Sequence, residues 1–207
     1  MKRLAFIFAF LLCCSAIQVQ ARGIMTMAGA GVPVAGCGAL ATARTDGTSG
    51  VYVGEDAVND LQYKSSSFTA TATGSIQTVY IYIRDYGTPD TNLYMWLCAD
   101  SSGSPDSSNG VTAMDKCTQS TTTTIGPPGG TYISAKYKFA GYAVTASSVY
   151  HIVVAEATPT IDGTNYYSVQ ANMAVAGEGT DRSSDGISWG SVDSSSQFNL
   201  GVTSCDE

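Results

Sequence analysis

A single histidine, two tryptophans and only ten lysines and arginines in 207 residues leave this chain short of the groups from which most catalytic and nucleic-acid sites are built. His151 has no second imidazole with which to share a metal or a proton, and it stands on an extended run where a surface or interface position is expected. No His-Glu-x-x-His helix or phosphate-cradling glycine loop is present. Carboxylate pairs for glycoside cleavage could be drawn from Glu55, Glu156, Glu178 or the aspartates, but no surroundings single out two of them. The chain therefore reads as non-catalytic. Its net charge is −7, and Arg22, Arg44, Lys64, Arg84, Lys116, Lys136, Lys138 and Arg182 form no cluster, so a phosphate backbone would be repelled. No nucleic-acid partner is expected. Also missing is any apolar run near the roughly 20 residues of a membrane-spanning helix, and no stretch keeps a helical period over three turns.

The N-terminus supplies the first positive signal. Lys2 and Arg3 precede the apolar run Leu4 to Ala16, and Val19-Gln20-Ala21 suits a signal peptidase. Residues 1–21 read as a secretory signal, which places the protein outside the cell or on its surface. An acylated Cys13 or Cys14 is the competing reading, but Leu11 and Leu12 stand where a small residue is needed. Residues 22–50 are rich in Gly and Ala without period and read as an extended arm, with one short strand near Val32 to Val34; residues 51–207 suffice for one domain. The exported part keeps Cys37, Cys98, Cys117 and Cys205, an even set without metal spacing, which argues for disulfides. Of the three connectivities, Cys98 to Cys117 with Cys37 to Cys205 is favoured, the first closing a polar loop and the second tying the ends of the domain.

Abundant Ser, Thr and Gly, twelve tyrosines and short alternating runs suit a secreted β-protein. Strands are expected at Leu61 to Tyr63, at Ser67 to Thr73 ending at Gly74, at Tyr132 to Phe139, at Val149 to Val154, at Asn165 to Val175 and at Phe198 to Val202. The most informative stretch is Ser75 to Cys98. Val79, Ile81 and Ile83 alternate with Tyr80, Tyr82 and Arg84; after a turn, Leu93, Met95 and Leu97 alternate with Tyr94 and Trp96. The two arms read as a β-hairpin whose aliphatic side packs inward and whose outward side gathers Tyr80, Tyr82, Tyr94 and Trp96, with Arg84 and Asp85 as hydrogen-bonding edge. The competing expectation is that the arm or the Cys98 to Cys117 loop covers these rings. Many short strands with turns between them predict an all-β, antiparallel two-sheet sandwich, a jelly roll with terminal strands side by side.

The succession of Gln62 and Phe68, the Val79 to Ile83 strand, Asn92-Leu93-Tyr94-Met95-Trp96-Leu97, the Gly103-Ser104-Pro105 turn, Tyr150 to Val154, Ser184-Asp185-Gly186-x-Ser188-Trp189 and a terminal Phe-x-Leu-x-Val strand resembles a jelly-roll module common in secreted bacterial proteins. That group includes choice-of-anchor type domains and resembles carbohydrate-binding modules in architecture. The resemblance covers about residues 60 to 203 and implies a sandwich that accompanies other modules. The functional expectation is a secreted module that binds a polysaccharide or cell-surface glycan by stacking sugar rings on Tyr80, Tyr82, Tyr94 and Trp96, with Arg84 at the edge. The alternative is a structural subunit of an extracellular matrix, coat or filament, self-assembling through the N-terminal arm.

No cofactor is called for. Asp181, Ser183 and Asp185 have the alternate-oxygen spacing of a calcium loop, the one metal reading on offer. Val192 stands where a bidentate Glu would complete it, and Asp185-Gly186 also suits a tight turn. Glu55, Asp56 and Asp60 form a second acidic cluster that reads as a solvated loop.

Overall fold

A computed structural model of the chain describes residues 37–43, 47, 49–53, 63–89, 92–122, 131–156, 164–172, 179–190 and 196–205. The signal segment, the strand expected near Val32 to Val34, the Glu55, Asp56 and Asp60 cluster and Glu178 lie outside these residues. Among those described, every regular element is a strand: β1 (Ser49–Val53), β2 (Tyr63–Thr69), β3 (Gly74–Tyr86), β4 (Leu93–Ser101), β5 (Ser104–Pro105), β6 (Thr118–Gln119), β7 (Ile133–Val144), β8 (Val149–Glu156), β9 (Tyr166–Asn172), β10 (Thr180–Ser183), β11 (Gln197–Phe198) and β12 (Leu200–Thr203). No described helix is long and apolar enough to cross a membrane.

The strands form two antiparallel sheets. The front sheet runs β1-β9-β3-β7, and the back sheet runs β10-β2-β8-β4, with β5 and β6 on the far edge of β4. In the front sheet β3 pairs β7 along one edge; along the other it pairs β12 at Thr78 to Ile81 and β9 at Ile83 to Tyr86. The chain from Gln197 to Thr203, interrupted at Asn199, thus wedges into the fork between β9 and β3. Asn199 bridges the gap by donating its N–H to the Gln170 carbonyl at 2.8 Å.

Alternation explains the core. Val79, Ile81 and Ile83 of β3 face Leu93, Met95 and Leu97 of β4 across the interior, joined by Phe68, Ile152, Val154, Tyr137, Tyr167, Val169, Phe198, Leu200 and Val202. Each fully buried aliphatic side chain contributes about 1.5–3 kcal/mol. In β7, Ala135, Tyr137 and Phe139 point inward while Lys136 and Lys138 point outward, and Ile133 at the start of that series is exposed.

Three expectations need correction. First, β3 and β4 are not a hairpin: β3 lies in the front sheet and β4 in the back sheet, so the 87–92 connection crosses between layers instead of folding one ladder. Gly87, at φ +63°, turns the chain out of β3, and Asn165 then accepts from the Thr88 N–H at 2.8 Å, docking the crossover on the segment before β9. Second, the arm is not separate where it is described. Ala39 bridges Thr203 of the front sheet and Ala41 bridges Ala70 beside the back sheet, and β1 begins at Ser49, ahead of the expected domain boundary at residue 51. Third, Gly74 opens β3 instead of ending the previous strand, because the chain bends at 71–73.

Both disulfides pair as expected. Cys37 joins Cys205 with a Cα separation of 5.3 Å, and Cys98 joins Cys117 at 4.6 Å. The free edge of β7 is partly closed: Thr121 donates its N–H to the Lys138 carbonyl at 2.7 Å, and the Thr122 hydroxyl accepts from the Lys138 N–H at 2.9 Å. Covering an edge in this way removes a template for unwanted strand addition.

Candidate functional site

Splitting β3 from β4 divides the four expected rings between opposite outer faces. Tyr80 and Tyr82 stand outward on the front sheet, Tyr94 and Trp96 outward on the back sheet, and all four are half-buried. The single aromatic patch expected from a hairpin therefore does not assemble, because side chains on the two outer faces are separated by the whole core.

Tyr94 and Trp96 do stack on each other, with centroids 6.0 Å apart and planes at 28°. Trp96 is also a member of a second apolar cluster, formed by Cys98, Met114 and Val153 with Tyr63, Cys117 and Trp189. The chain at 106–117 and 183–190 folds over this face. Trp189 donates its indole N–H to the Ser107 hydroxyl at 2.8 Å, and Ser107 in turn donates to the Gly186 carbonyl at 2.8 Å. For Trp96 the covering by the disulfide-closed loop prevails over display.

The front sheet carries the larger display. Tyr80, Tyr82, Arg84 and Tyr86 follow one another on alternate positions of β3, about 7 Å apart. Tyr86 and Tyr166 face each other across β3 and β9 and stack, with centroids 4.6 Å apart at 27°. Tyr52 of β1, 37% exposed, meets Tyr166 edge-on at 5.4 Å and Tyr86 at 6.1 Å. The Arg84 guanidinium lies 4.6 Å from the centroids of both Tyr86 and Tyr132 and hydrogen-bonds the Tyr86 hydroxyl. Its Nε is buried, with no acceptor among the described residues. Such cation–ring contacts contribute about 0.5–2 kcal/mol each. Tyr132 is fixed in turn by a 2.8 Å hydrogen bond between its hydroxyl and that of Ser168. Gly50 makes room for this pair, since a Cβ there would collide with both oxygens.

Of the residues expected at the site, Arg84 is thus central, Tyr80 and Tyr82 continue its row, and Tyr94 and Trp96 belong elsewhere. Asp85 does not serve as an edge; it is buried, paired across the ladder with the core residue Tyr167. Tyr86 was accessible from sequence by carrying the Tyr80 alternation two steps further. Tyr52, Tyr132 and Tyr166 come from distant strands with no local signal to join them.

A polar cluster lies on the back sheet. Contrary to the expectation of a surface residue, His151 is buried; Nδ1 meets the Ser65 hydroxyl at 3.1 Å and Nε2 meets Asp100 Oδ1 at 2.8 Å. Burial lowers the His151 pKa, opposed by the hydrogen bond and charge of Asp100. The trio has the residue types of a hydrolase triad, but Ser65 is 0% exposed, so no acyl group can reach its oxygen.

Asp181, Ser183 and Asp185 do not fit a calcium loop. The Ser183 hydroxyl donates to Asp185 Oδ1 at 3.0 Å, and the same oxygen accepts the Ile187 and Ser188 N–H groups at 2.8 Å each. Those backbone bonds hold the Asp185 pKa below its ordinary value and build a turn, the competing reading of Asp185-Gly186. Asp181 is buried, and its carboxyl is pushed up to about 6 mainly by that burial, with the Asp100 charge adding and Ser104 partly offsetting. Among the described residues, no cluster of three His, Cys, Asp or Glu is placed to hold a metal ion.

No protein-family model matches this chain, and no curated protein is similar to it.

Proposed function

We propose that this protein is a secreted, non-catalytic jelly-roll module that binds a polysaccharide or cell-surface glycan on the outer face of its front sheet. The observation that carries the reading is the set of rings drawn from three strands and the residue before a fourth: Tyr80, Tyr82 and Tyr86 of β3, Tyr166 of β9, Tyr52 of β1 and Tyr132 just before β7. Tyr80 to Tyr86 spans about 20 Å of strand, room for several sugar units in line. Pyranose C–H faces gain dispersion contact on such rings while their hydroxyls stay wet, and the tyrosine hydroxyls and Arg84 offer hydrogen bonds beside them. The jelly-roll part of the reading draws support from the order β12-β3-β7 in one sheet over β2-β8-β4 in the other. Export draws support from the two disulfides.

The test is a pull-down on insoluble polysaccharides followed by a glycan array. Tyr52→Ala and Tyr86→Ala are expected to weaken retention at least about tenfold, whereas Trp96→Ala, on the covered face, leaves it unchanged. Each variant's fold is checked by circular dichroism. Retention lost with Trp96→Ala but kept with Tyr52→Ala and Tyr86→Ala would overturn the assignment.

A further inference from the structure

We infer that the glycan taken by the front face is acidic, a polysaccharide bearing carboxylates such as those of uronic acid units. This rests on the aromatic-face reading above and adds the ligand's charge to it. The argument starts from how charge is divided. Acidic residues outnumber basic ones by 17 to 10 over the chain, yet the strands of the front sheet contain one carboxylate, Asp85, and it is turned into the core. The same strands carry Arg84, Lys136 and Lys138, all at outward ladder positions. Every other described carboxylate, Asp100, Asp106, Asp115, Glu156, Asp181 and Asp185, belongs to the back sheet or to the chain folded over it. Among the described residues the front-sheet strands turn three cations and no carboxylate outward, whereas the back sheet and the chain over it hold six carboxylates beside Lys64, Lys116 and Arg182.

The cations are also spaced to suit a chain-like ligand. Lys136 stands across the ladder from Tyr80, its Nζ 5.6 Å from the ring centroid, and Lys138 stands one alternate position beyond. Arg84 lies on the same row as Tyr80 and Tyr82, about 13 Å from Tyr80 along the strand. Two rings are thus flanked by cations at both ends. Among the described residues the guanidinium has hydrogen-bond and ring contacts only to tyrosines and no carboxylate partner. A neutral glycan would use the rings and gain little from these charges; one with a carboxylate on successive sugars would use both.

Affinity electrophoresis of the full protein against polygalacturonate, dextran sulfate, neutral dextran, cellulose and single-stranded DNA, at about 50 and about 300 mM NaCl, tests the inference. Polygalacturonate is expected to retard the protein most strongly, with retardation falling about tenfold at the higher salt. The Lys136→Gln, Lys138→Gln double variant is expected to weaken it about tenfold and to flatten the salt dependence. Equal binding of dextran or cellulose, indifferent to salt and to the lysine exchanges, would overturn the acidic assignment and leave the aromatic-face reading standing. Stronger binding of dextran sulfate, or equal binding of DNA, would overturn it in favour of another anion. Binding of no glycan would overturn both.

Discussion

His151 Nε2 and Asp100 Oδ1 stand 2.8 Å apart, with Asp100 reaching solvent at 28% exposure while the ring is buried. On the ring's other side Ser65 completes the pairing at 3.1 Å. With a neutral ring donating from Nε2, the serine O–H donates to Nδ1 and both contacts are satisfied.

Replacing this ring by a hydrocarbon strands the serine. His151→Phe is expected to destabilise the protein by about 1–3 kcal/mol, because the buried Ser65 hydroxyl loses its partner. Adding Ser65→Ala should recover part of the loss. Urea midpoints check both, and a His151→Phe midpoint equal to wild type refutes the coupling. Because the folded pKa of His151 is lowered, its contribution is lost as pH falls below the ordinary 6.5. An imidazole proton titration by nuclear magnetic resonance should give a midpoint under that value.

Asp181 has the opposite sign. Its carboxyl, raised from 3.8 to about 6, holds a proton more tightly folded than unfolded, so its contribution is present below about pH 4 and is withdrawn as pH rises through 6. The full swing is roughly 3 kcal/mol. Asp181→Asn should therefore raise the melting temperature at pH 7.5 and bring little gain at pH 4.5. A gain equal at both pH values would show that the charge is not the cause.

The disulfides should be unequal. Cys98 and Cys117 are 19 residues apart and Cys37 and Cys205 are 168 apart, for which loop-closure entropy gives about 3 and about 5 kcal/mol. Replacing the Cys37, Cys205 pair by serines should therefore cost more in urea than replacing the Cys98, Cys117 pair. The shorter bridge, however, should be the one whose loss raises Trp96 and Trp189 fluorescence quenching by iodide, since it anchors their cover.

Gly50→Ala tests how the display is built. A methyl group there must displace the Tyr132 hydroxyl or that of Ser168, releasing the ring that lies on one side of Arg84. Polysaccharide retention is expected to fall about fivefold, with a stability cost of about 1–2 kcal/mol. Unchanged retention in a folded variant would remove Tyr132 from the binding surface.

Alternation made one half of this architecture readable. Val79, Ile81, Ile83, Leu93, Met95 and Leu97 are inward and Tyr80, Tyr82, Tyr94 and Trp96 outward because a strand reports its own two sides through side-chain type. The identity of the neighbouring strand is not a local property. Six residues between Tyr86 and Leu93 suit a hairpin or a crossover equally, and what decides between them is β7, β9 and β12 competing for the edges of β3 from far along the chain. For the same reason Arg84 was visible and its companions Tyr52, Tyr132 and Tyr166 were not. The cysteines were legible because few pairings exist, and the burial of His151 was not, because its cover comes from distant segments.

The Cys37 to Cys205 bond also decides where mechanical load would travel. Tension applied through the chain on either side of it enters at one sulfur and leaves at the other, across a Cα separation of 5.3 Å, so neither sheet is pulled apart. Stretched from outside that bond, the sandwich is bypassed, and it can be unravelled from its ends only after reduction.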